Sequence, residues 1–182
     1  MTNSNLPTCF EAENPSNGAR CMDLVFEELT RANYDMAWQV DRTDIPEEYV
    51  DGVPTLIETL EYGFEHDCIG HAFAVSLDGR CIATILLGEA LEWKTDPPEV
   101  KQRPFYRLMS FVVDRRYRNR GIGGEILEKT ISRTCADFGV RPIVTGVHRD
   151  NAEAVRFYER HGFNPTPYME GNDCYYLRYP HE

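Results

Sequence analysis

Residues 108–124 read LMSFVVDRRYRNRGIGG and run directly into EILEKTISRTCADFG at 125–139. The opening run is apolar on both alternating faces, as in a strand buried centrally in a sheet. The closing run repeats apolar residues at Leu127, Ile131, Cys135 and Phe138, a stripe at helical spacing, and Gly139 supplies a stop. Between them, glycines at 121, 123 and 124 allow a sharp turn that bares backbone N–H groups where the dipole of the following helix is positive. Strand, glycine turn and helix in this order imply an α/β protein with a cradle for a diphosphate-like anion.

Outward from this unit, HAFAVSL and RCIATILLG flank Asp78-Gly79 and predict an antiparallel hairpin. Upstream, apolar residues at Met22, Val25, Phe26, Leu29 and Met36 predict a helix over 20–40, and a second helix is expected over 54–66. Residues 92–104 are too rich in proline and charge for a strand and read as a long loop. Downstream, 142–147 (PIVTGV) is a short strand, and Asp150 with Glu153 forms a capping box for a last helix that ends at Gly162. Two strands, 163–170 and 173–179, meet at Gly171-Asn172. The expected architecture is a mixed, mostly antiparallel twisted sheet of about six to seven strands flanked by helices, with one parallel crossover. Residues 1–18 read as a flexible polar tail and 19–182 as a single domain.

The 182 residues carry six scattered cysteines without a C-x-x-C pair, which argues against a zinc knuckle or a disulfide framework and for reduced thiols. The first eighteen residues lack the features of a secretory signal, and no apolar run approaches membrane-spanning length, so the expectation is a cytoplasmic protein with no membrane partner. The net charge of -11 divides unevenly. Residues 1–100 hold twenty Asp and Glu against five Lys and Arg, a net of -15, whereas 101–182 hold ten against fourteen, a net of +4. This asymmetry suits an anionic ligand in one half and attraction of cations by the other, and it argues against nucleic acid. No metal is expected, and the oligomeric state is left open, a homodimer included.

A dinucleotide fingerprint would need glycine at 126, where the chain has Ile126, and the Gly-Lys-Ser/Thr ending of a Walker loop is absent. What matches is R-x-x-G-x-G at Arg118, Gly121 and Gly123. About thirty residues on, Asn151, Ala154, Phe157, Tyr158, Gly162 and Phe163 follow the spacing N-x-x-A-x-x-F-Y-x-x-x-G-F. With these two motifs in this order the chain resembles the GNAT superfamily of N-acetyltransferases.

The resemblance implies a direct transfer of acetyl from acetyl-CoA to an amine within a ternary complex, without a covalent enzyme intermediate. It assigns the diphosphate to the turn formed by Arg118, Asn119, Arg120, Gly121, Ile122, Gly123 and Gly124. The pantetheine arm would pair with Phe111, Val112 and Val113 like an added strand, and Asn151 would touch that arm or simply start its helix. Tyr158 matches the tyrosine that protonates the departing thiolate, a task for an acid that is neutral at working pH. Gly146 marks a place where the sheet splays or another backbone comes close. It also stands where members that acetylate protein N-termini carry Glu, five residues before the motif Asn, which argues against that substrate class. For the general base, Ser110 and Met109 offer no strong candidate, His148 reads as a surface histidine, and Glu89 and Glu92 are the remaining carboxylates. The acidic first half suggests a cationic small molecule or basic peptide as acceptor. The rival is a non-catalytic CoA-binding module for sensing or scaffolding.

Overall fold

The computed structural model describes residues 23–180. The expected tail at 1–18 and the onset of order near Ala19 lie outside that range. Among the described residues seven strands form one sheet: β1 (Val25–Glu28), β2 (Gly70–Leu77), β3 (Arg80–Glu89), β4 (Tyr106–Val113), β5 (Ile143–His148), β6 (Asn164–Glu170) and β7 (Asp173–Arg178). Their order is β1-β2-β3-β4-β5-β7-β6, and only β4 and β5 run parallel. Three α-helices accompany them, α1 (Val53–Glu65), α2 (Ile122–Phe138) and α3 (Ala152–Arg160), with short 3-10 turns at Tyr34–Gln39 and Arg115–Tyr117. Among the described residues no helix is long and apolar enough to cross a membrane.

The sheet is covered on both faces. Ile122, Ile126, Leu127 and Ile131 of α2 join Phe73, Ile85, Leu108 and Phe163 in the larger core, and Leu56 and Leu60 of α1 join Ala72, Ala74 and Leu86 on the opposite face. A third cluster, Val100, Phe105, Val144, Tyr175 and Leu177, forms beneath the 92–104 loop and fixes it against the sheet.

The predicted helix over 20–40 is corrected. Within the described residues, Val25–Glu28 pairs antiparallel with β2 and Tyr34–Gln39 is a single 3-10 element. Apolar residues at 22, 25, 26, 29 and 36 fit a helical period, but Leu24 and Phe26 also alternate with Val25, and the free edge of β2 favours alternation. Leu24 is buried while Val25 is 51% exposed, as a half-buried edge strand requires. The capping box is corrected by one residue: Asn151, not Asp150, caps α3, its Oδ1 accepting from the Ala154 N–H at 3.1 Å.

Two features of β4 prepare the site. Its ladder with β5 consists of Tyr106 with Ile143 and Arg107 with Val144, beyond which the strands part. Ser110, at a φ of 49°, interrupts the strand where the register with β3 shifts between Thr84 and Leu86. Such a bulge bends one strand away from its neighbours. The Thr84 hydroxyl satisfies the Ser110 carbonyl at 3.1 Å, and the Thr145 hydroxyl reaches across the fork to the Leu108 carbonyl at 3.1 Å. Gly146 therefore sits at the expected splay. Above its α-carbon the close approach is made by a side chain: an added Cβ would meet Asp173, at 3.5 Å.

Candidate active site

The fork between β4 and β5 opens a cleft of about 1270 Å³ that extends to the first turn of α2, one face of α3 and the loop before α1. At its α2 end Gly121 takes a left-handed conformation, φ 79°, and no side chain caps the helix. The first intrahelical bond in this turn is Glu125 N–H to the Gly121 carbonyl at 3.2 Å, which leaves the N–H groups ahead of it as open donors. Gly123 and Gly124 let α3 approach closely. A Cβ at 123 would lie 3.4 Å from Phe157, and one at 124 would lie 2.7 Å from the His161 ring.

The arginines of the turn are largely committed. Arg115 pairs with Asp41 at 2.9 Å, Arg116 with Asp114 at 2.5 Å and Arg118 with Asp44 at 2.7 Å. Arg118 Nε also donates to the Val113 carbonyl at 2.7 Å. Arg120 has no ion pair among the described residues and lies over the Tyr117 ring. The turn therefore meets the cleft with backbone donors more than with guanidinium charge. These pairs also tie the loop before α1 to the turn, reinforced by Asp41 N–H to the Asp114 carboxylate at 3.0 Å and Arg115 N–H to the Asp41 carbonyl at 3.0 Å. Arg42 closes the same loop on itself by donating to the Val50 and Asp51 carbonyls. Asp114 is fully buried, and its hydrogen bonds from Arg116 hold it well below the usual carboxylate range.

Phe111, Val112 and Val113 of β4, with Asn119, Gly121, Gly123 and Gly124 of the turn, line the cleft, as do Asn151 and Tyr158. Ile122 is buried behind the turn. Tyr158 is 9% exposed, and burial pushes its phenol up to about 12, with the Thr145 hydroxyl opposing. It is neutral across the physiological range.

Glu89 and Glu92 do not line the cleft. Glu89 pairs with Tyr106 in the ladder, at the rung where β4 and β5 are still joined, and its carboxylate takes Arg141 at 2.9 Å. Glu92 accepts from the Gln102 N–H at 2.7 Å. Both are structural anchors at the closed end of the fork. His148 is buried rather than surface-exposed, its ring 4.9 Å from that of Tyr49.

On the other side of the sheet the cleft has a second half that sequence reasoning did not find. Glu47, Glu48 and Asp51 enter it from the loop before α1, and Glu170 and Asp173 from the β6–β7 hairpin. Glu170 accepts from Tyr175 at 2.8 Å. Asp173 is raised above its ordinary value by burial, with His148 opposing and Asp51 and Glu170 adding. At the floor Arg107 is buried against Asp96 at 2.8 Å, beneath the Trp93 ring at 3.7 Å. The legible traces of this half were the run DRTDIPEEYVD at 41–51 and the lone Gly146 in an apolar strand.

Comparison with known proteins agrees with this geometry. The model of the acetyltransferase (GNAT) family matches residues 25–163. No curated protein matches the chain significantly. Among solved structures, the PaiA N-acetyltransferase of Thermoplasma acidophilum in complex with coenzyme A is 16% identical, with 87% of this chain and 100% of that one covered at a TM-score of 0.61. Ard1 of Thermoplasma volcanium is 21% identical, covering 87% and 99%, at 0.60. Arabidopsis thaliana Naa50 in complex with the bisubstrate analogue CoA-Ac-MVNAL is 17% identical, covering 85% and 96%, at 0.58. At these identities the likeness shows a shared fold, whereas the family match spans most of the chain, and the chain belongs to the acetyltransferase (GNAT) family.

Proposed function

We propose that the protein moves the acetyl group of acetyl-CoA to an amine, with a cationic amine as the preferred acceptor. The observation that carries this reading is the continuity of one cleft from uncapped N–H donors at Gly121–Gly124, along the unpaired edge of β4, to the Tyr158 hydroxyl. The diphosphate is held by the N–H groups of the turn, where the helix dipole adds to them. Phe111, Val112 and Val113 receive the pantetheine arm along the strand edge that β5 vacates. Asn151 spends its carbonyl oxygen on the α3 cap and keeps its amide N–H groups for the cofactor.

The thioester then lies at the fork, with Tyr158 on the α3 side. The amine attacks the carbonyl carbon, the C–S bond breaks, and Tyr158 gives its proton to the leaving thiolate. A phenol near 12 is a weak donor to a solvated thiol of about 8.5, but a thiolate released into the same buried site is also desolvated and holds a proton more tightly. The acidic residues of the loop before α1 and of the β6–β7 hairpin favour a positively charged acceptor.

Thiol release from acetyl-CoA across spermidine, kanamycin, amino acids and short peptides tests the reading. Tyr158→Phe is expected to keep CoA-induced thermal stabilisation while turnover falls by about 10²-fold or more. CoA binding with no turnover on any amine would point instead to a sensing or scaffolding module.

A further inference from the structure

The donor half of the cleft has an acid in Tyr158, while the carboxylates at the end of β3 are engaged away from it. The sheet supplies another. Gly146 pairs with Tyr175 and His148 with Asp173, so Gly146, His148, Tyr175 and Asp173 share one face. Thr145, one residue earlier on β5, faces the other way and acts on Tyr158. The two faces of β5 thus place Tyr158 on one side of the fork and Asp173 on the other.

Gly146 is exposed in the middle of a paired strand, because the cleft opens above it. An ideal Cβ there would stand 3.5 Å from the Asp173 Cβ and 3.6 Å from its Oδ2. The carboxylate of β7 therefore lies over the bare α-carbon of β5, in a space that a side chain at 146 would otherwise fill. Its carboxylate is not tied up: among the described residues it has neither an ion pair nor a hydrogen bond from a side chain or a backbone N–H, in contrast to Glu89, Glu92 and Glu170.

We propose that Asp173 is the general base of the acetyl transfer, delivered from β7 across Gly146 to the acceptor side of the thioester. The proposal rests on the acetyl-transfer reading above. The reacting nitrogen enters as the neutral amine, its ammonium proton lost to solvent, and as the C–N bond forms it becomes positively charged and far more acidic than an ammonium. Asp173 takes that proton, the C–S bond breaks, and the electron pair leaves on sulfur. Tyr158 protonates the thiolate and regains its proton from solvent as Asp173 releases one to it, so the products are the acetamide and CoA thiol. The groups that face Asp173 are His148 from β5, Asp51 from the loop before α1 and Glu170 from β6; burial, with Asp51 and Glu170 adding and His148 opposing, holds its carboxyl above the usual range.

The test moves the carboxylate. Asp173→Asn and Asp173→Ala are expected to lower kcat on the amine that the wild type turns over by about 10²-fold, with CoA-induced stabilisation unchanged. The acid limb of the wild-type kcat/KM profile that belongs to Asp173 disappears in Asp173→Asn, leaving only the ionisation of the amine. Adding Gly146→Glu to Asp173→Ala is expected to restore at least tenfold of the loss, because a glutamate at 146 reaches the vacated position. Unchanged turnover and pH profile in Asp173→Asn would overturn the base assignment while leaving acetyl transfer in place. Loss of CoA-induced stabilisation in both Asp173 variants would overturn it as a structural effect. A wild type that turns over no amine would overturn both readings.

Discussion

Gly124→Ala carries a sharp prediction, because two effects of known size act on it with opposite sign. Gly124 lies in the first turn of α2, where alanine is preferred over glycine by about 1 kcal/mol. Without a neighbour, the substitution would stabilise the protein. The new Cβ, however, would stand 2.7 Å from His161 Cε1 and 2.9 Å from Nε2, well inside the roughly 3.5–4.0 Å at which such atoms rest. His161 has little freedom to yield, since its Nδ1 contacts Glu128 at 3.1 Å and its ring lies 4.6 Å from that of Phe157. Forcing a methyl into a packed contact costs about 1–3 kcal/mol, so the net effect is a loss of up to about 2 kcal/mol. For a chain of this size that corresponds to a fall in Tm of up to about 8 °C. In a His161→Ala background the obstruction is gone, while Glu128 keeps both of its 2.8 Å bonds to Arg178. There alanine at 124 is expected to raise Tm relative to glycine, and the reversal of sign between backgrounds is the coupling to be measured. Thermal unfolding of the four proteins is sufficient. A Tm for Gly124→Ala at or above that of the wild type, or equal effects in both backgrounds, would refute the claim that His161 sets the need for glycine.

Three further outcomes follow from the geometry. Asp114 is held below its ordinary value, so its stabilising contribution is complete above the unfolded pKa of about 3.9 and is lost as pH falls through the folded value. Asp114→Asn is expected to cost about 1.5–3 kcal/mol at pH 7, a deficit that shrinks steadily below pH 4 when Tm is compared across pH. Arg107→Met leaves Asp96 buried without its partner, which typically costs about 3–5 kcal/mol in urea unfolding, and Arg107→Met with Asp96→Leu is expected to recover most of it. Tyr158→Phe removes one buried hydroxyl and no ion pair, so its Tm is expected to stay within a few degrees of the wild type while turnover falls.

The half of the cleft at the start of α2 was legible because it is local. A strand, three glycines and a helix occupy residues 105–139 without interruption, and Asn151 to Phe163 form one continuous motif. Backbone chemistry there depends on neighbours in the chain, which a linear reading can see. The N-terminal segment was misread because a four-residue edge strand carries too few positions to separate a period of 2 from one of 3.6, and pairing with β2 decides it. Asp150 and Asn151 both suit the start of α3 by residue type, and the turn geometry selects Asn151 as the cap.

The other half of the cleft was hidden for a different reason: Tyr49 and Asp51, Trp93 and Asp96, Arg107, Gly146 and Asp173 come together through the order β4-β5-β7. That order places the last strand of the chain between β5 and β6, so the residue that answers the gap at Gly146 lies 27 positions away on another element. The charge split needs the same correction. A net of -15 against +4 suggested one half for an anion and one for a cation, yet Asp41 and Asp44 of the acidic half are consumed by Arg115 and Arg118 of the basic turn. What remains in the cleft is backbone N–H groups at the turn, Glu47, Glu48 and Asp51 from the acidic half, and Asp173 from the other. On the proposed reading, selectivity for a cationic amine rests on these few carboxylates, and neutralising Glu47, Glu48 and Asp51 together should raise KM for spermidine while leaving CoA-induced stabilisation intact. An unchanged KM would show that the acidity of the chain serves the loop and not the acceptor.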